Sequence, residues 1–274
     1  MAFNKNSNLY QIVYAAIMVV IVGVLLAGVY MALKPKQDDN RANDKRKQIL
    51  AAILVPVSDD NAVGKSFEEY ITDGYLIDRE GNKIDKTELK TAFDIDMKKN
   101  LKAAKTDSTK LQLPVFEAKT KDGKKYIIPV YGAGLWGPIW GYVAVNDDGK
   151  TIYGAYFSHE GETPGLGAKI GDKEFQDEFK NKNLYNSDDR LALTVKKQVQ
   201  IKDTTVEVAA ISGATITSGG VGAMLQDCLT PYNMFFKKLQ GGNTNSCQPE
   251  QCKQNNCQPG ECKHACGDKC ETNK

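Results

Sequence analysis

The sequence predicts an α+β protein in which helices pack on an antiparallel sheet, with one transmembrane helix ahead of that domain. Three features carry the prediction. Residues 12–33 form an uncharged apolar run long enough to cross a bilayer. Residues 111–157 alternate strand-like runs with tight, glycine-containing turns. Helical patterns flank those strands on both sides, a mixture that places helices against an antiparallel sheet.

A short tail (1–11) leads into Ile12–Leu33, IVYAAIMVVIVGVLLAGVYMAL. As a helix this run spans about 33 Å, the hydrocarbon thickness of a bilayer. Tyr10, Tyr14 and Tyr30 lie near its ends, where aromatic rings favour the membrane interface. The run is too long for a signal peptide, and no A-x-A-like cleavage site follows it. Gly23 and Ala27 form a small-xxx-small pair suited to packing against another membrane helix. Lys34, Lys36, Arg41, Lys45, Arg46 and Lys47 follow the span, against Lys5 alone before it, so the positive-inside count puts the bulk of the chain in the cytoplasm.

Residues 34–57 read as a juxtamembrane helical linker and 58–240 as the folded domain. Within the domain, GYLIDREGNKID (74–85) predicts two short strands around Glu80-Gly81-Asn82, and 87–104 is helical. Two hairpins follow, one turning at Lys-Asp-Gly and one at Asp147-Asp148-Gly149. DKEFQDEFKNKNL (172–184) has an amphipathic pattern, and RLALTVKK and TTVEVAAI are two further strands. VGAMLQDCLTPYNMFFKKL (221–239) predicts a helix broken near Thr230-Pro231, where Thr230 can cap a second helix begun by Pro231.

Composition narrows the function by exclusion. Thirty-six basic residues against thirty-four acidic ones lack the basic excess of a nucleic-acid binder. The span holds no intramembrane charge, so the chain cannot itself conduct an ion. The tail at 241–274 is nearly free of apolar residues and cannot build a core. Its Cys247, Cys252, Cys257, Cys262, Cys266 and Cys270 do not match a C-x2-C zinc ribbon. In an oxidising compartment such as a periplasm disulfides are the leading reading there, and soft-metal binding with His264 is the alternative. Cys228, on the predicted helix, reads as a buried small residue.

Three stretches concentrate chemistry. In ISGATITS, Gly213 permits a tight turn, Ala214 leaves the backbone accessible, and Thr217 or Ser218 can cap a helix starting near Val221. The N-terminus of that helix suits a phosphate. A plain capped turn fits the same residues. HEGETPGLGAKI (159–170) is a rigid glycine-rich loop with His159, Glu160 and Glu162, a poor metal-ligand set that also lacks the Lys-Ser/Thr ending of a P-loop. YGAGLWGPIWGY (131–142) reads as an aromatic core edge or as an apolar wall for a flat ring.

In this order after one membrane helix, IPVYGAGLWGPIWGYVA, SHEGETPGLGA and ISGATITS closely resemble the C subunit of the Na+-translocating NADH:quinone oxidoreductase, over roughly residues 8–240. The G subunit of the Rnf ferredoxin:NAD+ oxidoreductase shares the S-G-A-T element and fits the other two motifs less well. The resemblance implies an FMN-binding domain whose FMN is joined covalently, through its phosphate, to a threonine. Carried over, the acceptor is Thr215, with Thr217 second, and Ser212, Gly213 and Ala214 complete the motif. Leu135, Trp136, Glu162, Thr163, Leu166 and Gly167 match flavin-lining stretches.

The same resemblance implies an electron relay within a sodium-pumping NADH:quinone reductase. An iron–sulfur donor passes electrons in, and another flavin receives them. The implied partners are the other subunits of that membrane complex and a flavin transferase that attaches the FMN. The implied location is a bacterial inner membrane with the flavin domain in the periplasm, against the basic count. Relatives often carry an acid just before S-G-A-T; here Val208-Ala209-Ala210 occupies that place and Glu207 is the nearest acid. From a different class, a membrane-anchored Cys-rich metal-binding or scaffold protein that lost its flavin remains the alternative.

Overall fold

The structure, a computed structural model, describes residues 8–242. The Cys-rich tail from 243 onward lies outside the described residues, with its six cysteines and His264, and so do residues 1–7. The chain divides into two compact units, one ending at Arg46 and one beginning at Lys47.

The first helix, α1 (Asn8–Ala52), contains the apolar run and continues through Pro35. It is long and apolar enough to cross a membrane. Ile12, Leu25, Leu26 and Met31 are among its exposed apolar side chains. The last residues of α1 belong to the second unit. Ile49, Leu50, Ala52 and Ile53 are buried there with Phe67, Ala92, Phe116, Ile127 and Tyr142. The stretch expected as a linker to residue 57 therefore contributes core, and the compact unit begins at Lys47 rather than at 58.

The second unit is built on a five-stranded antiparallel meander, β1 (Ile71–Ile77), β2 (Leu113–Thr120), β3 (Gly123–Ala133), β4 (Pro138–Asn146) and β5 (Ile152–His159), in spatial order. Alternation along each strand splits the apolar residues between two faces. On β3, Ile127 joins the cluster around Ile49, whereas Tyr126, Ile128 and Val130 face a larger cluster with Val221, Leu225, Leu229 and Phe236. Helices therefore cover both faces of the sheet. The longest ladder joins β3 to β4, from Lys125↔Asn146 to Ala133↔Pro138, and it delivers the four-residue turn Gly134–Gly137 to one end of the sheet.

Helices α2 (Val63–Tyr70), α3 (Leu89–Asp94) and α4 (Met97–Thr106) precede β2. The 87–104 stretch is thus two helices, parted where Asp96 caps α4 by accepting from Lys99 N–H. The second strand expected after Gly81 reduces to one bridge, Ile77↔Lys83. The amphipathic 172–184 pattern yields only the short α5 (Lys173–Asp177), whose Phe175 packs edge-on to Phe179. The two late strands, β6 (Thr194–Lys196) and β7 (Glu207–Ala209), pair with each other in parallel as a separate sheet.

From β7 the chain runs directly into α6 (Thr215–Leu229). This helix starts six residues before the expected Val221, so the hydroxyl-rich turn is its first turn. Its N-cap position is Ala214, which makes no side-chain cap. Neither Thr217 nor Ser218 caps: Ser218 Oγ accepts from Ile211 N–H at 3.1 Å, and Thr217 bonds across to another loop. Thr230 does not cap either, because its hydroxyl bonds back to Gln226 O. A short 3-10 turn at Thr230–Tyr232 separates α6 from α7 (Asn233–Gly242). Cys228 is buried as expected, its thiol donating to Tyr131 O at 3.3 Å, and burial pushes its pKa up to about 11.

Candidate functional site

Three segments distant in sequence meet beside the β3–β4 turn: 134–137, the loop 160–167 after β5, and 211–217 leading into α6. Each is irregular for a local reason. Gly134 N–H donates to Gly137 O at 2.8 Å and closes the β turn, leaving Leu135 and Trp136 at its tip. The 160–167 loop folds on itself, with Leu166 and Ala168 N–H both donating to Thr163 O. Gly213 has φ of +77°, a left-handed conformation that glycine adopts without steric cost and that turns the chain into α6.

The three segments enclose a cavity of about 270 Å³. It is lined by Leu135, Glu162, Thr163, Leu166, Gly167, Gly213, Ala214, Thr215, Ile216 and Thr217. The expected contacts thus come together, with two differences. Trp136 and Ser212 stand beside the cavity, outside its lining, with Trp136 70% exposed. Ile216, not anticipated, lines it and is 64% exposed. An isoleucine between two threonines at a helix start was the available signal, and it reads equally well as a core position. Ala214, expected to leave the backbone open, is buried.

The two threonines differ sharply. Thr215 is exposed, and its hydroxyl has no protein hydrogen-bond partner among the described residues. Thr217 is 1% exposed and donates its hydroxyl to Glu162 Oε2 at 2.6 Å. Glu162 Oε1 accepts from Trp136 N–H at 2.8 Å, and Glu162 N–H donates to His159 Nδ1 at 3.2 Å. Burial drives the Glu162 carboxyl upward. The Thr217 hydroxyl and the backbone N–H groups of Trp136, Gly137 and Leu135 outweigh that and hold it below the usual carboxylate value. The side chain is therefore an anion at neutral pH.

The aromatic stretch divides. Trp140 is half-buried, its indole N–H donating to Gln48 Oε1 at 3.2 Å, and Tyr142 is buried in the core. Of this stretch, Leu135 lines the cavity and Trp136 stands beside it. Glu207, the acid nearest to S-G-A-T, is turned to structural use: it pairs with Lys196 and accepts from Lys202 N–H at 2.6 Å. Among the described residues no group of three His, Cys, Asp or Glu side chains forms a metal site.

A flavin mononucleotide can be tested against these residues. No lysine or arginine lines the cavity, and an ionised glutamate does. The counter-charge for a phosphate is the start of α6, where Thr215, Ile216 and Thr217 N–H occupy helical positions with no intrahelical acceptor. The cavity is smaller than the roughly 300–1,000 Å³ of sites that enclose a whole ligand. Its size fits part of the nucleotide, and the exposed side chains of Leu135, Trp136, Leu166 and Ile216 would offer apolar surface to the rest.

Comparison with known proteins agrees with this geometry. Residues 134–230, which contain all three segments, match the FMN-binding domain family. The C subunit of the Na(+)-translocating NADH-quinone reductase of Neisseria meningitidis serogroup B is 34% identical over 230 residues, covering 80% of this chain and 88% of the relative. The C subunit from Haemophilus ducreyi is 30% identical, covering 88% of this chain and 99% of the relative. The crystal structure of the C subunit from Parabacteroides distasonis superposes with a TM-score of 0.66 at 42% identity, covering 74% of this chain and 96% of that one. With motifs, cavity and near full-length relatives in agreement, the chain belongs to the family of C subunits of the Na(+)-translocating NADH-quinone reductase.

Proposed function

We propose that this chain is the membrane-anchored flavoprotein subunit of a Na+-translocating NADH-quinone reductase, and that it carries FMN esterified through its phosphate to Thr215. One observation carries the residue assignment: of the two hydroxyls in Thr-Ile-Thr, Thr215 faces solvent at the cavity and Thr217 is buried with its proton committed to Glu162.

Charge favours an ester. A free phosphate monoester carries about −1.5 to −2 charges at neutral pH. A diester carries one, which suits a site with an anionic Glu162, no cation and only the dipole of α6. Esterification replaces the Thr215 O–H bond by an O–P bond, with the proton lost and the phosphate's previous substituent leaving. Among the described residues no side chain is hydrogen-bonded to the Thr215 hydroxyl to take that proton, so the base is assigned to a separate transferase.

When bound, the flavin supplies the electron-transfer chemistry. This chain supplies anchorage by α1, the α6 N-terminus for the phosphate, and an apolar platform from Leu135, Trp136, Leu166 and Ile216. It works as a relay between an iron–sulfur donor and another flavin, and partner subunits move the sodium. The flavin domain faces the periplasm. Membership of a fixed complex outweighs the statistical bias of the basic residues after the span.

Flavin fluorescence of the denatured band on a gel tests the assignment. With a flavin transferase co-expressed, the full-length protein should glow and Thr215→Ala should be dark. A bright Thr215→Ala band would move the bond, with Thr217→Ala the next variant to make.

A further inference from the structure

The acceptor threonine and the apolar wall belong to different elements. Thr215 opens α6, whereas Leu135 and Trp136 form the β3–β4 turn, and Thr215 has no side-chain bond to that turn. Glu162 spans the gap. One carboxylate oxygen takes the Trp136 N–H at 2.8 Å, and the other takes the Thr217 hydroxyl at 2.6 Å, one helical step beyond Ile216. The loop bearing Glu162 is fixed in turn, through Glu162 N–H to His159 Nδ1 and Glu160 N–H to Pro138 O.

The chain accommodates this carboxylate at a cost. Glu162 is 4% exposed and faces no cation among the described residues, an arrangement that usually destabilises. Both flanking segments approach it with bare backbone. A Cβ on Gly134 would lie 2.4 Å from Glu162 Oε1. One on Gly167 would lie 2.4 Å from Oε2 and 2.7 Å from Thr217 Oγ1. A hydrophobic residue could fill the space, but it could not tie the turn to the helix.

We infer that Glu162 is a positioning residue: it locks the first turn of α6 to the 134–137 turn, so that a group attached at Thr215 is held against Leu135 and Trp136 instead of swinging in solvent. The inference rests on the proposed attachment at Thr215. It also explains why Thr217 is withheld as an acceptor, since its hydroxyl is the helix end of the strut.

The test uses the full-length chain co-expressed with a flavin transferase, as wild type, Glu162→Ala, Glu162→Gln and Thr217→Val. Three quantities are read: covalent flavin on the denatured gel, iodide quenching and visible circular dichroism of the native flavin, and amide exchange at Trp136 in the same chains expressed without the transferase. In the fraction that carries flavin, Glu162→Ala should show several-fold stronger quenching and a collapsed visible dichroism, and its Trp136 exchange should be faster by about tenfold. Glu162→Gln keeps an acceptor for Trp136 N–H and a donor for the Thr217 oxygen, so it should restore the wild-type signature. Thr217→Val should resemble Glu162→Ala.

Flavin-loaded Glu162→Ala with unchanged quenching and dichroism overturns the inference. If that variant does not fold, a wild-type signature in Thr217→Val overturns it instead. A wild-type chain that carries no flavin under working transferase overturns the attachment reading and this inference with it.

Discussion

Glu162 and Glu207 are both buried and both kept ionised, yet they are held by opposite means. Glu207 closes the connection between β6 and β7. The Lys196 ammonium, chiefly, and then the Lys202 backbone N–H hold its carboxyl at about 2. Among the described residues Glu162 has no such ion pair, and its charge is stabilised by a hydroxyl and backbone N–H groups. A carboxylate neutralised by lysine is complete as a structural clasp. One held by neutral donors keeps its net charge and borders an open cavity. Charge pairing, more than burial, separates the acid of the clasp from the acid of the cavity.

Removing the clasp should have the largest effect on stability. Glu207→Ala strands Lys196 and two backbone N–H groups. It should cost about 2–3 kcal/mol in chemical denaturation, below the usual figure for breaking a buried pair because Lys196 is 39% exposed. Loss of less than about half a kcal/mol would show that the pair is no clasp at all.

Crowding the other acid comes next. Gly167→Ala places a methyl against both Glu162 and Thr217, and overpacking of this kind costs about 1–3 kcal/mol. It should also slow covalent flavin loading, whereas Glu207→Ala in its folded fraction should load normally. Equal loading defects in the two variants would erase the distinction between the acids.

The smallest effect is on the acid side. Both carboxyls lie below their unfolded value near 4.5, so the stability they contribute is fully present above that pH and is lost as pH falls, for Glu207 through about 2. Acid unfolding of Glu207→Gln should therefore depend less steeply on pH in that window than the wild type. An unchanged acid limb would place the titration on other groups.

Local patterns carried much of this structure. The 22-residue apolar run, the alternation of β3 to β5 and the turns at Gly123 and Gly149 were legible because a strand or a turn is specified within a few residues. The start of α6 was not. A segment of serine, threonine and glycine has poor helix propensity, and only packing of Val221, Leu225 and Leu229 against the sheet extends the helix back to Thr215. The parallel pairing of β6 with β7 likewise depends on the Glu207 clasp and on docking of α6 over β6.

The sequence by itself determined the membrane-span candidate, the antiparallel hairpins and the motifs that place the chain in its family, because each is a matter of length, period or residue type in one stretch. Only the tertiary structure decided which threonine is open, which acid is a clasp and which glycines must stay bare. Those properties arise where residues apart in the chain meet, as where Lys196 pairs with Glu207 and where residues 26 and 55 positions from Glu162 close around it. Exposure of a hydroxyl is set by what packs over it, and that partner is not its neighbour in the chain.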